Sequence, residues 1–270
     1  MSKKIGLSII SIFIIGLHIL PFYILITTSF KELNDLSSKW VLPNYLYLDN
    51  FINAWTSANL ATAFKNNIIV TVISIVLIVI LGSIAAYPLS RRQTSWNKFV
   101  YLLFISALII PPLTSLVPLY KFMVDLGGMN QYWGIITLHV AFNLPMTVFL
   151  YAGFINTIPK ELDEAVMIDG AGQFKLFYKI ILPLLKPITA TVIILHGVSI
   201  WNDFQFSLFF MQKTDLRTIS VALSSFFSEG GNKISWVAAG SLISALPMGI
   251  IYLFLQRYFV AGLSAGAVKG

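Results

Sequence analysis

The most constraining feature of this sequence is an apolar stretch from Asn66 to Ser90 that contains no charged residue and lies between Lys65 and Arg91. A helix needs about 20 apolar residues to cross the ~30 Å hydrocarbon layer of a bilayer. The stretch is rich in Ile and Val, which would favour a strand in water. In lipid, however, every backbone polar group must be satisfied within its own segment, and a helix does this. The sequence therefore predicts a membrane-spanning helix here.

Five further apolar runs predict spans, at about 5–30, 99–120, 132–155, 184–206 and 237–255. Composition agrees, because only 11% of the residues are charged, whereas a soluble domain carries about a quarter. The first run follows Lys3 and Lys4, as in a signal peptide, but it is too long for that class and no clear cleavage site follows. We therefore expect an all-α membrane protein, with one transmembrane domain over residues 1–270 and about six spans.

The positions of Lys and Arg predict the orientation of these spans. Loops that stay in the cytoplasm carry an excess of basic residues. With the N-terminus inside, eleven of the 18 Lys and Arg residues are cytoplasmic, namely Lys3, Lys4, Arg91, Arg92, Lys98, Lys160, Lys175, Lys179, Lys186, Arg257 and Lys269. Both termini are therefore expected in the cytoplasm.

The predicted cytoplasmic loop at residues 158–183 contains residues that start and end a helix, which a simple connector would not need. Pro159 opens it, and acidic residues crowd the first turns, where the helix dipole favours them. Gly170 and Gly172 are expected to end the helix. One apolar face is expected to hold Leu162, Ala165, Val166 and Ile168. The sequence thus predicts a short amphipathic helix at the membrane surface, and a helix that merely lies on lipid is the alternative.

This loop resembles the "EAA" loop of the permease subunits of ABC importers. The family pattern is Glu-Ala-Ala, three residues, Gly, nine residues and Ile-x-Leu-Pro, and this chain has Glu164-Ala165-Val166, Gly170 and Ile180-Ile181-Leu182-Pro183 at that spacing. Only Val166 departs from the pattern. The resemblance implies a type I ABC importer permease fold in which the loop is the coupling helix that docks on the ATP-binding subunit. The residues it assigns to coupling are Glu164, Ala165, Asp169, Gly170, Ala171, Leu182 and Pro183.

The C-terminal stretch 256–270 is similar to the ending of the maltose-type branch of carbohydrate importers. Asn143-Leu144-Pro145 and Trp201-Asn202-Asp203-Phe204 also fit that branch. The resemblance implies a sugar, such as an oligosaccharide, as the cargo, with a non-sugar solute as the alternative. The small residues of the tail suit a strand or turn that docks on the ATP-binding subunit, and a terminus without function is the alternative.

Asp203 is a charged residue within a predicted span, a position that often marks function. It lies beside Trp201, Asn202 and Gln205, and aromatic rings together with Asp, Asn and Gln side chains suit a sugar ligand. With Asn143 in the preceding span, these residues form the predicted substrate path. The alternative is that Asp203 caps the outer end of its span and faces water.

Prolines and histidines inside the predicted spans need a separate interpretation. Prolines at 111, 112, 118, 145 and 247 predict interrupted helices, which line cavities in transporters. For any one of them, a kink without contact to substrate is the alternative. Three histidines, His18, His139 and His196, stand singly in apolar runs without metal-ligand spacing. They are predicted to be packed or to form hydrogen bonds between helices.

The sequence also lacks motifs that an enzyme would need. No Gly-x-x-x-x-Gly-Lys-Ser/Thr loop for phosphate occurs, nor a zinc or dinucleotide motif. The chain is therefore expected to be non-catalytic and to bind no cofactor. Paired intramembrane carboxylates, which an ion-coupled secondary transporter would need, are not evident either, so that class is a weaker alternative.

The resemblance implies several partners in a bacterial or archaeal cytoplasmic membrane. An ATP-binding subunit dimer would hold ATP and Mg, and a second, different permease would complete the pore. An extracellular or periplasmic sugar-binding protein would deliver the cargo to the predicted outer loops at 31–65 and 207–235. The lipid bilayer is the remaining partner, and no nucleic acid is expected.

Overall fold

The computed structural model describes residues 2–168, 172–228 and 233–267. Side chains are described at 6–164, 166–168, 172–227 and 233–257. Every regular element in these ranges is helical, which confirms the predicted all-α class. The predicted coupling residues Asp169, Gly170 and Ala171 lie outside the described residues, as does the side chain of Ala165.

Thirteen α-helices are described, and short 3₁₀ and π segments adjoin some of them. The first six are α1 (Ser2–Ser29), α2 (Asp49–Ser57), α3 (Leu60–Arg91), α4 (Ser95–Ala107), α5 (Leu116–Asp125) and α6 (Tyr132–Ile155). They are followed by α7 (Glu161–Ile168), α8 (Gln173–Leu176), α9 (Leu182–Leu184), α10 (Lys186–Trp201), α11 (Gln205–Phe210), α12 (Ile219–Ser228) and α13 (Ile234–Ala267).

Four of the described helices are long and apolar enough to cross a membrane: α1, α3, α6 and α13. Two broken pairs raise the number to six if each pair is one span. The first pair joins α4 to the segment Pro112–Asp125 with a bend of 91°, and the second joins Gln173–Leu184 to α10 with a bend of 69°. Each break lies close to prolines, which cannot donate the backbone hydrogen bond that would continue the helix.

Two other prolines do not break their helices, contrary to the prediction. Pro145 lies inside the continuous helix α6, and Pro247 lies inside the continuous helix α13. Helices inside lipid tolerate proline because neighbouring groups can satisfy the freed carbonyls. The strand or turn predicted for the C-terminal tail is also wrong up to Ala267, because α13 is helical to that residue.

The described chain packs as two compact units. The first contains residues 1–64 and 217–247, and the second contains residues 65–216 and 248–270. In the first unit Leu60 and Phe226 are almost fully buried, and α2 and α12 are helices in regions where the sequence predicted loops. In the second unit α6 is central and packs against α4, α10 and α11. Its residues Ile135, Tyr151 and Ile155 are fully buried.

Candidate coupling surface and translocation path

The loop that resembles the coupling helix begins with α7. Its first turn carries Glu161, Asp163 and Glu164, whose negative charges interact favourably with the N-terminal end of the helix dipole. Glu161 and Glu164 are exposed, whereas Asp163 is only 8% exposed. Asp163 therefore needs a partner, because a buried carboxylate without one is strongly disfavoured.

That partner is Arg91, the last residue of α3. Its Nε lies 2.9 Å from Oδ2 of Asp163, and its Nη2 donates a hydrogen bond to Oδ1 over 3.3 Å. Its Nη1 donates to the carbonyl of Ile158 over 3.0 Å. The two side chains are 7% and 11% exposed. This contact joins the end of one membrane-spanning helix to the start of the loop helix.

The second arm of the loop lies on the apolar core of its unit. It consists of α8, the π-helical residues Phe177–Ile181 and α9. Leu176 and Ile181 are fully buried, and the ring of Phe177 lies 5.4 Å from that of Tyr87 on α3. At the start of this arm the side chain of Gln173 accepts a hydrogen bond from Arg92.

Both arms carry exposed apolar side chains among exposed charged ones. We call five of the apolar side chains the coupling surface: Leu162, Met167, Ile168, Phe174 and Tyr178. Ile168 and Phe174 are each 85% exposed. Large exposed apolar side chains on a short loop are typical of a surface that binds a protein partner or a membrane.

The structure divides the predicted coupling residues between two environments. Glu164 and Pro183 are exposed, whereas Leu182 is half-buried against the core. The prediction of a single apolar face on α7 is wrong, because Val166 packs inward on the core while Ile168 faces outward. Helix α7 has only eight residues, so it does not form one continuous apolar face. Its apolar side chains lie partly against the core and partly on the exposed side.

Asp203 lies between α10 and α11, and its carboxylate is occupied by hydrogen bonds. Its Oδ1 accepts from the backbone N–H of Phe206 over 3.2 Å, and its Oδ2 accepts from the N–H and the hydroxyl of Ser207, each over 2.8 Å. These are contacts of an N-terminal cap, because the first N–H groups of a helix have no partner within it. The capping part of the alternative therefore describes this residue, although it caps α11 rather than the end of α10. The expectation that it faces water is wrong, because its side chain is only 12% exposed and its Oδ2 lies 3.9 Å from Nε2 of His139.

The other predicted path residues are not brought together on one surface. Trp201 is 5% exposed, so its ring faces the interior of its unit rather than a ligand. Its carbonyl accepts a hydrogen bond from Asn67 over 2.9 Å. Asn202 and Gln205 are exposed, and Asn202 bonds to the carbonyl of Val198 within its own helix.

Asn143 belongs to a buried polar cluster between α6 and α10. Its Oδ1 lies 2.8 Å from Nδ1 of His196, and its amide donates to the carbonyl of His139. Nε2 of His196 lies 2.9 Å from the hydroxyl of Thr147. The predicted interhelical hydrogen bond of His196 is therefore confirmed. His139 is packed as predicted, at 3% exposed. The prediction is wrong for His18, which is exposed and bonds the carbonyl of Ile14 within its own helix.

Two residues of these sites, Arg91 and Thr147, were not identified individually from the sequence. Arg91 counted only as one of many basic residues, and Thr147 gave no signal at all. The position of Arg91 directly after a charge-free span was a usable signal, because a cation there lies at the same membrane boundary as the acidic start of the loop.

The region between α1 and α2 is ordered by polar contacts. Nζ of Lys31 donates to Oγ of Ser37 over 2.6 Å and to the carbonyl of Ser38 over 2.7 Å. Hydrogen bonds from Ser37 and then from Tyr45 lower the pKa of Asp35 to about 2. Large apolar side chains are nevertheless exposed there, including Leu36 at 99% and Leu46 at 76%.

Among the described residues no cluster of His, Cys, Asp or Glu could hold a metal ion.

Comparison with known proteins identifies the family of this chain. Residues 78–265 match the family described as the binding-protein-dependent transport system inner membrane component. The melibiose/raffinose/stachyose import permease protein MelC of Bacillus subtilis is 53% identical over 254 residues, which cover 94% of this chain and 92% of that protein. The arabinooligosaccharides transport system permease protein AraQ of Halalkalibacterium halodurans is 34% identical over 263 residues, which cover 96% of this chain and 94% of that protein.

A solved structure has the same fold. It belongs to a bacterial ABC transporter involved in the import of the acidic polysaccharide alginate, and it superposes with a TM-score of 0.80 at 20% identity, over 95% of this chain and 96% of that chain. Together with the match over residues 78–265, these relatives establish that the chain belongs to the family of inner-membrane permease components of binding-protein-dependent ABC transporters.

Proposed function

We propose that this chain is one permease subunit of an ATP-driven importer and that it moves an oligosaccharide across the cytoplasmic membrane. The observation that carries the proposal is the coupling surface, where Ile168 and Phe174 are each 85% exposed on a loop with the spacing of the coupling helix. A separate ATP-binding subunit covers this surface and supplies ATP hydrolysis with its Mg. A second permease completes the pore.

The relatives support a sugar as the cargo. The MelC permease, 53% identical over nearly the whole chain, is named for import of melibiose, raffinose and stachyose. The AraQ permease is named for arabinooligosaccharides. We therefore expect this chain to carry a short oligosaccharide, with melibiose and raffinose as the first sugars to test. A sugar-binding protein delivers it to the region between α1 and α2, where Leu36 is 99% exposed.

The orientation follows from the basic residues, with both termini and the coupling surface in the cytoplasm. Because the chain contains no cysteine, single cysteines test it directly. In intact cells a membrane-impermeant maleimide should label Leu36→Cys and should leave Phe174→Cys unlabelled until the membrane is permeabilised. Labelling of Phe174→Cys from outside would reverse the orientation.

The coupling surface is tested by co-purification of the ATP-binding subunit from native membranes. Phe174→Ala and Ile168→Ala should reduce the recovered ATPase activity, because each removes most of an exposed apolar side chain from the interface. The matched control is Phe13→Ala on α1, where the phenylalanine is 71% exposed but lies far along the chain from the loop. Equal loss in all three variants, or no ATPase activity with the unaltered chain, would refute the proposal.

The energy source and cargo are tested by uptake of radiolabelled raffinose and melibiose in cells that lack this chain and in cells that are complemented with it. Uptake should depend on the chain and on cellular ATP, and should persist when a protonophore abolishes the proton gradient. Uptake that follows the ion gradient would instead identify a secondary transporter. Normal sugar uptake without the chain would remove the carbohydrate assignment.

A further inference from the structure

Two consecutive arginines at the end of α3 hold the two arms of the coupling loop. Arg91 pairs with Asp163 in the first turn of α7, and Arg92 donates to Gln173 at the start of α8. The two contacts differ in burial. The Arg91 and Asp163 side chains are 7% and 11% exposed, whereas the contact of Arg92 is exposed.

The buried contact between Arg91 and Asp163 connects the loop to α3 more strongly than the exposed contact of Arg92 does. Nη2 of Arg91 donates a hydrogen bond to Oδ1 of Asp163 and Nη1 donates one to the carbonyl of Ile158, while Nε lies at ion-pair distance from Oδ2. Arg91 therefore contacts the chain on both sides of Pro159, at Ile158 and at Asp163. Removal of one member of a buried ion pair leaves an uncompensated charge, which is strongly disfavoured. The start of α7 consequently moves with the end of α3.

The other end of the loop is attached differently. Phe177–Ile181 is π-helical, a conformation that often occurs at functional sites, and the path bends by 69° between Gln173–Leu184 and α10. The bend lies next to Pro183 and Pro187. The second arm leads into α10 through this bent connection and touches α3 through the apolar ring contact of Phe177 with Tyr87, whereas the first arm is joined to α3 by the buried ion pair.

We propose that the Arg91–Asp163 pair is a positioning element that transmits ATP-driven movement of the coupling loop to α3. This inference rests on the proposed function, because it requires an ATP-binding subunit docked on the coupling surface. Docking itself uses the outward side chains and does not need the ion pair. Loss of the pair therefore leaves the subunits assembled but separates ATP hydrolysis from sugar movement.

The test uses the complete transporter in liposomes, with its ATP-binding subunits, second permease and binding protein. The variants are Arg91→Ala and Asp163→Ala, with Arg91→Lys as the conservative variant. Lys98→Ala, at an exposed lysine on α4, is the matched control. Sugar transported per ATP hydrolysed should fall by about tenfold in the two alanine variants of the pair, a size typical of coupling between sites. Co-purified ATP-binding subunit should remain unchanged. Arg91→Lys should recover part of the ratio, and Lys98→Ala should retain it.

A second measurement separates coupling from folding within one sample. The chain has no cysteine, so Arg91→Cys/Asp163→Cys combined with cysteine-free partners can be joined by a short bis-methanethiosulfonate cross-linker and released with dithiothreitol. The cross-linked form should transport with restored coupling and the released form should be uncoupled, while each single-cysteine variant should not respond.

Three outcomes decide between the proposals. If the unaltered transporter hydrolyses ATP in step with sugar uptake but the ratio survives in Arg91→Ala, the ion pair does not transmit movement. If the cross-linked and released forms are equally uncoupled, the inference is also overturned. If the unaltered chain assembles with no ATP-binding subunit, the proposed function has failed instead.

Discussion

Replacement of Gly82 by alanine should destabilise the contact between α3 and α6. A Cβ atom at Gly82 would lie 2.3 Å from Cγ2 of Thr147 and 3.2 Å from its Cβ. Small residues at such positions allow two helices in a membrane to approach closely. Thr147 cannot rotate away easily, because it is fully buried and its hydroxyl lies 2.9 Å from both the carbonyl of Asn143 and Nε2 of His196.

The size of the effect follows from two opposing contributions. Overpacking a well-packed site costs about 1–3 kcal/mol, and a fixed β-branched neighbour favours the upper end. Alanine is better than glycine in a helix by about 1 kcal/mol. The net loss should therefore be about 2 kcal/mol, which corresponds to a fall of about 4–8 °C in the unfolding midpoint. The assay is thermal unfolding of the detergent-solubilised chain, followed by loss of the monodisperse peak in size-exclusion chromatography.

A matched control and a rescue make this reasoning refutable. A Cβ atom added at Gly153 on α6 would have no neighbouring atom within 4 Å, so Gly153→Ala should be neutral or slightly stabilising. Adding Thr147→Ser to Gly82→Ala removes Cγ2 and keeps the hydroxyl, so the double variant should recover most of the loss. If Gly82→Ala is as stable as Gly153→Ala, or if serine gives no rescue, the close contact does not determine stability here.

Three further predictions concern single side chains. His196→Leu should cost about 1–3 kcal/mol, because its polar partners on α6 become unsatisfied, while His18→Leu should change the unfolding midpoint little; equal effects would contradict this. Asp203→Ala should lower stability by about 0.5–2 kcal/mol through loss of the cap, and Asn202→Ala should not; a raised KM for sugar with unchanged stability would identify Asp203 as a ligand instead. Asp35 has a lowered pKa of about 2, so its contribution to stability is complete above its unfolded pKa of about 3.9 and is lost as the pH falls through about 2. A carboxyl ¹³C NMR titration, with the Asp35 signal assigned by comparison with Asp35→Asn, measures the pKa. A titration midpoint near 3.9 would contradict the prediction.

The long helices could be predicted because lipid places a simple demand on them. The run predicted at 132–155 coincides with α6 at Tyr132–Ile155, and a charge-free run of that length has no stable alternative in a bilayer. The broken spans were less predictable. The prolines at 111 and 112 indicated an interruption, but the bend of 91° depends on how the following segment packs. The helices α2 and α12 were missed because short amphipathic helices lack a long apolar run.

The sequence proposes a position for the candidate site but not its internal contacts. A motif with fixed spacing identified the loop, since such a pattern is local in sequence. The ion pair joins residues 72 positions apart, and neither periodicity nor spacing relates two such residues. The substrate path shows the same limit, because burial of Trp201 and capping by Asp203 depend on tertiary packing that residue types alone do not specify.

The two sides of the coupling loop have different physical properties and should therefore have different mutational effects. With an ATP-binding subunit docked as proposed, substitutions on the outward side, where Ile168 and Phe174 are each 85% exposed, should change the affinity for that subunit. Substitutions on the inward side, where Asp163 forms a buried ion pair with Arg91, should change how the chain responds once the subunit is bound. If Phe174→Ala weakens assembly and Asp163→Ala leaves assembly intact but uncouples transport, binding and transmission are separate properties of one short loop.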